Sequence, residues 1–243
     1  PEVVAVKNSV EGATVNDVML AIVSGAMRGY LQAKGELPAR SLVSGAPVNV
    51  RADAERGTGG NMVSMMSIAL RTDVADPLQR LRLVHEEAVN SKAYMNAVGA
   101  RLLTDWTNRL PAQLTALGFR AAAAAGLLSS GKPVFNTIVT NVPGPQVPLY
   151  FAGARLVRSF GAGPCVDGMG LFQAVTSYAG QLAPSFHSCR DMMSDPGFYE
   201  SCLADSFAQL KDAAASMQVR TPVPKRSTRT TARAAKPRAR RKG

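Results

Sequence analysis

Several segments of the chain place apolar residues at the spacing of an α-helix that buries one face. The clearest follows Thr14, whose hydroxyl suits the N-cap position, while Asp17 stands where the acid of a capping box belongs. Its apolar positions continue to about Lys34, and Gly35 is a residue type that commonly ends helices. The pattern therefore predicts a long helix. Other helices are predicted to begin near residues 76 and 195, and a less regular helical segment spans residues 101–125.

Short runs rich in β-branched residues, bounded by glycine and proline, predict the strands. Residues 134–140 predict a strand that enters the turn Asn141-Val142-Pro143-Gly144-Pro145, where the prolines fix φ and Gly144 can take a positive φ. Because helices and strands alternate along the chain, the predicted fold class is α/β (α+β), with one mostly β sheet covered by helices. The other predicted strands span residues 41–50, 62–71, 149–151, 155–160, 170–178 and 181–187, the last two as a hairpin.

The basic charge is concentrated at the C-terminal end. The 243 residues include 28 Lys and Arg against 17 Asp and Glu, a formal net charge of +11. Ten of the basic residues lie between Arg220 and Lys242, and no acid follows Asp212. With three prolines and almost no large apolar residue, residues 217–243 are predicted to be a disordered basic tail after a domain over residues 1–216. Such a tail favours binding to anionic lipid headgroups or nucleic acid.

The sequence contains none of the compact motifs of a self-sufficient enzyme. The three cysteines include no CxxC pair, and the P-loop-like spacing over residues 126–132 continues with Pro133, where magnesium needs serine or threonine. His85 precedes two glutamates on a polar helix face and is predicted to be solvated. His187 lies two residues from Cys189, which permits contact on a strand, but no third orienting group is evident. We therefore expect no metal site, and no apolar run is long enough to span a membrane.

Two polar segments stand out against this background. Asn16 and Asp17 place short polar side chains at the start of a long apolar helix, and residues 141–145 form a rigid loop directly after a strand. A helix cap and a turn are sufficient explanations, and a functional role is the alternative. The residues alone leave both interpretations open.

Short motifs in a fixed order run through most of the chain. They are TVNDVMLA (14–21), PVNVR (47–51), GGN (59–61), TNVPGP (140–145), GMGL (168–171), SYAG (177–180) and CRD (189–191). In this order they resemble the C-terminal half of the bacterial wax ester synthase/diacylglycerol acyltransferase (WS/DGAT) family. The resemblance covers about residues 12–212, and its most specific parts are ND and NVPGP.

The resemblance implies one lobe of a two-lobed, CoA-dependent acyltransferase fold like that of chloramphenicol acetyltransferase. The family's catalytic HHxxxDG motif lies in the N-terminal half, and neither His85 nor His187 has a neighbouring histidine. The base is therefore expected upstream of Pro1, as part of a longer protein, and no catalytic residue is assigned in this chain. The implied reaction transfers a long acyl chain from acyl-CoA, as substrate, to diacylglycerol or a fatty alcohol, with no cofactor.

The resemblance also implies supporting residues. Asn16 and Asp17 would lie at the substrate tunnel near the missing histidine, as hydrogen-bond partners more than as proton-transfer groups. The residues expected to shape the tunnel and brace the loop that crosses between lobes are Asn141, Pro143, Gly144 and Pro145.

The implied partners are the missing N-terminal lobe, acyl-CoA, the acceptor lipid and an anionic membrane or lipid-body surface bound by residues 220–243. The implied location is the cytoplasm, peripheral at a membrane or lipid droplet, because lipid substrates reside there; nucleic acid is the less favoured partner. An alternative from another class is a non-enzymatic scaffold lobe whose basic tail anchors it to membrane or nucleic acid. A free-standing Cys–His enzyme is the least favoured interpretation.

Overall fold

The chain forms a mixed α/β structure. The computed structural model describes residues 1–49, 63–98, 135–165 and 168–220, together with the single helical positions 114, 117, 120 and 121. In chain order the elements are α1 (Glu2–Lys7), α2 (Val15–Lys34), β1 (Val43–Asn49), β2 (Val63–Ala69), α3 (Pro77–Val98), β3 (Thr137–Pro143), β4 (Tyr150–Phe151), β5 (Ala154–Arg155), β6 (Leu171–Tyr178), β7 (Gln181–Ser188) and α4 (Pro196–Arg220).

A five-stranded mixed sheet with the order β2-β1-β3-β6-β7 forms the centre. β1 and β2 are one antiparallel pair and β6 and β7 are another, while β3 joins the two through parallel pairings with β1 and β6. β7 is an edge strand, which accommodates Pro184 because a proline cannot donate a hydrogen bond to a further strand. β4 and β5 form a separate short hairpin.

Helices α2, α3 and α4 cover one face of the sheet, with α2 at the centre of the helical layer. α2 is apolar on most sides because it contacts the sheet and both neighbouring helices, and its Val18 and Leu20 are fully buried. Leu20 belongs to the same core cluster as Ile68 of β2 and Tyr199 of α4. The short α1 packs against α2 and α4 through Val6. These contacts fix the position of α2 relative to the sheet.

Most predicted elements are confirmed. The helix after Thr14, the first two strands, the helix after Asp76, the β6–β7 hairpin and the helix after Asp195 all form, with ends that differ from the predicted ends by a few residues. The predicted class, a mixed sheet covered by helices, is confirmed as well.

The end of β3 differs from the prediction. The sequence predicts a turn from Asn141 onward, but Asn141 to Pro143 continue the strand by pairing with residues 175–177 of β6. Here β3 is paired on one side only, because its ladder with β1 ends at Ile138. Pro143 therefore lies in a strand where its missing N–H deprives no partner of a hydrogen bond.

Other boundaries also differ. α1 was not predicted, because six residues are too few to show a helical period. Residues 156–160 form no strand, and α4 extends to Arg220, so residues 217–220 are helical although they were assigned to the tail. The GGN motif (59–61), most of residues 101–125, the P-loop-like spacing and residues 221–243 lie outside the described residues.

Candidate functional site

The N-terminal end of α2 is fixed by a reciprocal capping box. The Asp17 Oδ2 atom accepts hydrogen bonds from the Thr14 backbone N–H at 2.8 Å and from the Thr14 hydroxyl at 2.9 Å. The Thr14 hydroxyl in turn accepts from the Asp17 backbone N–H at 3.2 Å. This is the arrangement that the sequence predicted, and it satisfies backbone groups that a helix start leaves unpaired.

His85 completes this cluster, which corrects the prediction that it is solvated. Its Nδ1 atom lies 2.9 Å from Asp17 Oδ2, and its side chain is 20% exposed. Position 12 turns with a positive φ of 77°, and a Cβ there would lie 3.1 Å from His85 Nε2, so Gly12 suits the close approach. The sequence pattern missed this contact because α2 and α3 come together only in the tertiary fold.

Asn16 lies beside this cluster but takes no part in it. Its side chain is half-buried and has no hydrogen-bond partner among the described residues. The capping function belongs to Thr14 and Asp17, so the cap interpretation does not account for the asparagine.

The loop after β3 is held against β6. The Gly144 backbone N–H donates to the Ser177 hydroxyl at 3.1 Å, and a Cβ at position 144 would lie 2.2 Å from the Ser177 carbonyl oxygen. Gly144 does not have a positive φ, contrary to the prediction. It is glycine because two backbones approach closely.

One cavity is bordered by both segments. Its volume is about 670 Å³, and its lining includes Val15 at the start of α2, Asn141 and Pro143 at the end of β3, and Ser177 of β6. Residues 1–4 of the chain also border it. Among the predicted site residues, Asn141 and Pro143 therefore line the cavity directly. Asn16, Gly144 and Pro145 are each adjacent in the chain to a lining residue. Asp17 is two residues from Val15, and its carboxylate faces α3 instead. We call this space the mouth cavity.

The opposite end of α2 is tied to the start of α4. The Tyr30 hydroxyl donates to Asp195, and Lys34 Nζ donates to Asp195 Oδ2 at 2.5 Å. The Lys34 hydrogen bond, and then that of Tyr30, lower the pKa of Asp195 below its ordinary value. Burial, and then the Asp195 hydrogen bond, raise the pKa of Tyr30 to about 12. Both ends of α2 are thus anchored by polar contacts.

No Cys–His pair is formed in the described part of the chain. The Cys165 thiol lies 3.4 Å from the His187 carbonyl oxygen, and no hydrogen bond joins the side chains of His187 and Cys189. Within residues 1–49, 63–98, 135–165 and 168–220, no group of three or more His, Cys, Asp or Glu residues is arranged to hold a metal ion. Nor does any helix described there have the length and apolar character that crossing a bilayer requires.

The model of the WS/DGAT C-terminal domain matches residues 59–211. The chain belongs to this family. It is 38% identical over 185 residues to a Mycobacterium tuberculosis protein assigned by name as a diacylglycerol O-acyltransferase. This alignment covers 74% of the chain and 36% of that protein. It is also 32% identical over 182 residues to the O-acyltransferase WSD of Acinetobacter baylyi, which covers 74% of this chain and 38% of that protein. The family resemblance inferred from the motifs is therefore confirmed.

The solved structures agree with this WS/DGAT assignment. The wax ester synthase/diacylglycerol acyltransferase of Marinobacter aquaeolei VT8 superposes with a TM-score of 0.66 at 28% identity, covering 88% of this chain and 46% of that chain. The first condensation domain of the calcium-dependent antibiotic synthetase has a TM-score of 0.50 at 19% identity, which shows a shared fold. The matches therefore cover 36% to 46% of the length of these WS/DGAT proteins.

Proposed function

We propose that this chain is the C-terminal lobe of a long-chain O-acyltransferase that transfers an acyl group from acyl-CoA to diacylglycerol or a fatty alcohol. The observation that carries this proposal is the mouth cavity, because Val15 at the start of α2 and Asn141 and Pro143 at the end of β3 border it together. If the cap of α2 and the loop after β3 served only local folding, their meeting at one cavity would not be expected. The names of the relatives supply the reaction class.

The chemistry requires a general base that this proposal places on the N-terminal lobe, within an HHxxxDG segment. The base removes the proton of the acceptor hydroxyl, the oxygen attacks the thioester carbonyl, and the CoA thiolate leaves as the ester forms. Acyl-CoA is a substrate here, and the proposal includes no cofactor.

The residues of this lobe support that reaction without transferring protons. Asp17 is already engaged by Thr14 and His85, so its role is to hold the start of α2 in place. Asn16 has no hydrogen-bond partner among the residues that the structure describes, and it supplies an amide donor and acceptor toward the opposing lobe or the substrate. Asn141 and Pro143 shape the mouth cavity, and the chain at Gly144 and Pro145 holds its rim.

An acyl-transfer assay tests the proposal. This chain is combined with the N-terminal lobe encoded upstream of it, and ester formation from palmitoyl-CoA is measured with diolein and with hexadecanol. Transfer is expected from the combined lobes, while this chain alone should be slower by about 10²–10⁴-fold or more, the usual effect of losing a general base. Equal activity of the chain alone, or no activity of the combined lobes, would contradict the proposal.

Asn16→Ala tests the support role in the active assembly. Losing one hydrogen bond in the transition state is expected to lower turnover about tenfold. Because Asn16 does not cap the helix, the melting temperature should change little. An unchanged turnover would show that Asn16 does not support the reaction.

The docking partner proposed for this lobe is the N-terminal lobe, and the contact surface is an apolar arm that we define as residues 145–160. Phe151 is 87% exposed and Val157 is 79% exposed. The arm is nevertheless anchored, because the Leu149 backbone N–H donates to the Tyr178 hydroxyl at 2.7 Å and Gln146 Oε1 accepts from the Gly180 backbone N–H at 3.0 Å. An exposed apolar surface on an anchored segment is typical of an interface.

The basic C-terminal residues are proposed to bind anionic membrane or lipid-droplet surfaces, which places the protein peripherally in the cytoplasm. Each basic residue near an anionic surface contributes about 1 kcal/mol, and screening shortens the range of this attraction from ~10 Å at 0.1 M salt to ~3 Å at 1 M. Phosphatidylserine vesicles should therefore bind at 0.1 M and dissociate by 1 M. Deletion of residues 220–243 should abolish binding, and preference for duplex DNA at equal salt would overturn the lipid assignment.

A further inference from the structure

An apolar groove lies between the edge strand β7 and helices α2 and α4. Its volume is about 600 Å³, which falls in the range of ~300–1,000 Å³ usual for small-molecule sites. Ile22 of α2, Leu203 of α4 and Leu182 and Phe186 of β7 are among the residues that line it. The walls are therefore mostly aliphatic and aromatic.

The groove adjoins the mouth cavity. Val3, Leu182 and Phe207 line both spaces. From these shared residues the groove extends along β7 to Phe186 and along α4 to Glu200. The side chains of these three residues therefore lie where a hydrocarbon chain would pass from the mouth cavity into the groove.

The polar groups along the groove already have partners within the lobe. Gln173, 3% exposed, accepts a hydrogen bond from the Tyr199 hydroxyl at 2.8 Å, and its amide nitrogen lies 3.3 Å from Thr137 Oγ1. The Ser185 hydroxyl donates to the Gly161 carbonyl at 2.7 Å. A ligand with polar groups would lose hydrogen bonds to water on entering and gain none.

The charge of the lining residues also favours an uncharged, apolar ligand. Among the residues that line the groove in the described part of the chain, Glu200 alone is charged, and it is exposed. A carboxylate there repels an anionic head group, so the end of the ligand that reaches this position is uncharged. The groove fits an unbranched hydrocarbon chain.

We propose that this groove binds the hydrocarbon chain of a lipid substrate and that its far end, near Phe186 and Glu200, sets the chain length that the lobe accepts. The assignment rests on the proposed acyl transfer, since that reaction brings such a chain to the mouth cavity. The Phe186 ring meets the buried Tyr199 ring edge to face, with centroids 5.1 Å apart, which makes this end a firm wall. The acyl donor and the alcohol acceptor both carry such a chain, and the experiment distinguishes them.

Photo-crosslinking of the full chain tests the site without requiring activity. Diazirine-bearing palmitoyl-CoA and a diazirine-bearing fatty alcohol are irradiated separately with the protein, and the labelled peptides are mapped by mass spectrometry. Labels are expected within residues 182–186 and 203–207, and the probe that places them there identifies the source of the chain. Labelling confined to other peptides would overturn the proposal.

A matched pair of variants sharpens the test. Ala204 is exposed and lines the groove, so Ala204→Trp fills the groove without entering the core. It should reduce labelling about tenfold, because the indole occupies the space of the ligand. Ala208 is exposed one turn later and is not among the lining residues, so Ala208→Trp should label like the wild type. Melting curves of both variants establish that they are folded. Equal labelling of the wild type and folded Ala204→Trp would overturn the proposal.

The combined lobes separate this inference from the proposed function. There, Ala204→Trp should lower the turnover of palmitoyl-CoA or hexadecanol relative to an eight-carbon analogue of the same substrate. Groove labelling without any acyl transfer would refute the reaction and leave the hydrocarbon site in place. Acyl transfer with no labelling and no change in chain-length preference would refute the groove and leave the reaction in place.

Discussion

Two sets of apolar residues in this lobe have the same chemistry and opposite exposure. Beneath the helices, Leu20 and Ile68 are 0% exposed, whereas Phe151 and Val157 of the apolar arm are 87% and 79% exposed. Burial contributes about 25 cal/mol per Å² of apolar surface, so only the first set stabilises the lobe. The second set is held in place by hydrogen bonds at the base of the arm and left uncovered. The difference separates residues that fold the lobe from residues that join it to a partner.

The largest expected effect is that of truncating the core. Leu20→Ala leaves a cavity in the centre of the helical layer and should lower the free energy of unfolding by about 2–5 kcal/mol. Urea denaturation measures this loss. Val157→Ala in the arm is the control and should change it by less than about 0.5 kcal/mol. Losses of similar size at both positions would remove the distinction between the two sets.

A smaller effect is expected where the sheet passes into the arm. Gly144→Ala places a Cβ against the Ser177 carbonyl oxygen, which is backbone and cannot move aside, and should cost about 1–3 kcal/mol. Gly197→Ala, with no atom within 4 Å of the new Cβ, should be neutral or stabilise its helix by up to about 1 kcal/mol. Thermal melts compare the two variants. If both were neutral, the base of the arm would be loosely attached to the sheet.

The capping box gives the next effect. Thr14→Ala removes the hydroxyl that accepts from the Asp17 backbone N–H, and should lower the free energy of unfolding by about 1 kcal/mol. Asn16→Ala, two residues along the same helix, should change it by less than about 0.5 kcal/mol. A larger loss of stability for Asn16→Ala than for Thr14→Ala would contradict the assignment of Thr14 as the capping residue.

The smallest effect on stability, and the largest on association, is expected in the arm. The double variant Phe151→Ser, Val157→Ser should unfold at the same urea concentration as the wild type because neither side chain is covered. It should bind less of a hydrophobic dye and associate less with itself, since an exposed apolar patch favours both. Dye fluorescence and sedimentation measure these changes. Unchanged dye binding would locate the exposed patch elsewhere.

Elements with a complete local description could be predicted from the sequence. The helix after Thr14 has its cap, its apolar period and a terminating Gly35. The β6–β7 hairpin has a two-residue turn, Ala179 and Gly180, between two strand-length segments. The position where β3 ends could not be predicted. A proline at position 143 fits in the strand because β1 no longer pairs with β3 there, and the local sequence does not show where that pairing stops.

The candidate site was predictable in part for the same reason. ND and NVPGP could be recognised as motifs, but nothing local shows that Val15 and Asn141 border one cavity. The Asp17–His85 contact joins helices that are separated by two strands, so the polar surroundings of His85 in the sequence predicted solvent. Contacts between distant segments depend on packing, which a pattern along the chain does not encode.

The parallel pairing of β1 with β3 also affects how the protein is made. The Val43 backbone N–H donates to the Asn136 side chain 93 residues further along, so at ~5–20 residues per second the ribosome needs about 5–20 s to supply the second partner after the first. During this interval β1 has an open edge with no partner strand, while α2 and α3, which are made before β3, are available to cover one face of the β1–β2 pair. The edge of β1 that β3 later occupies therefore stays open to mispairing until Ile138 has been synthesised.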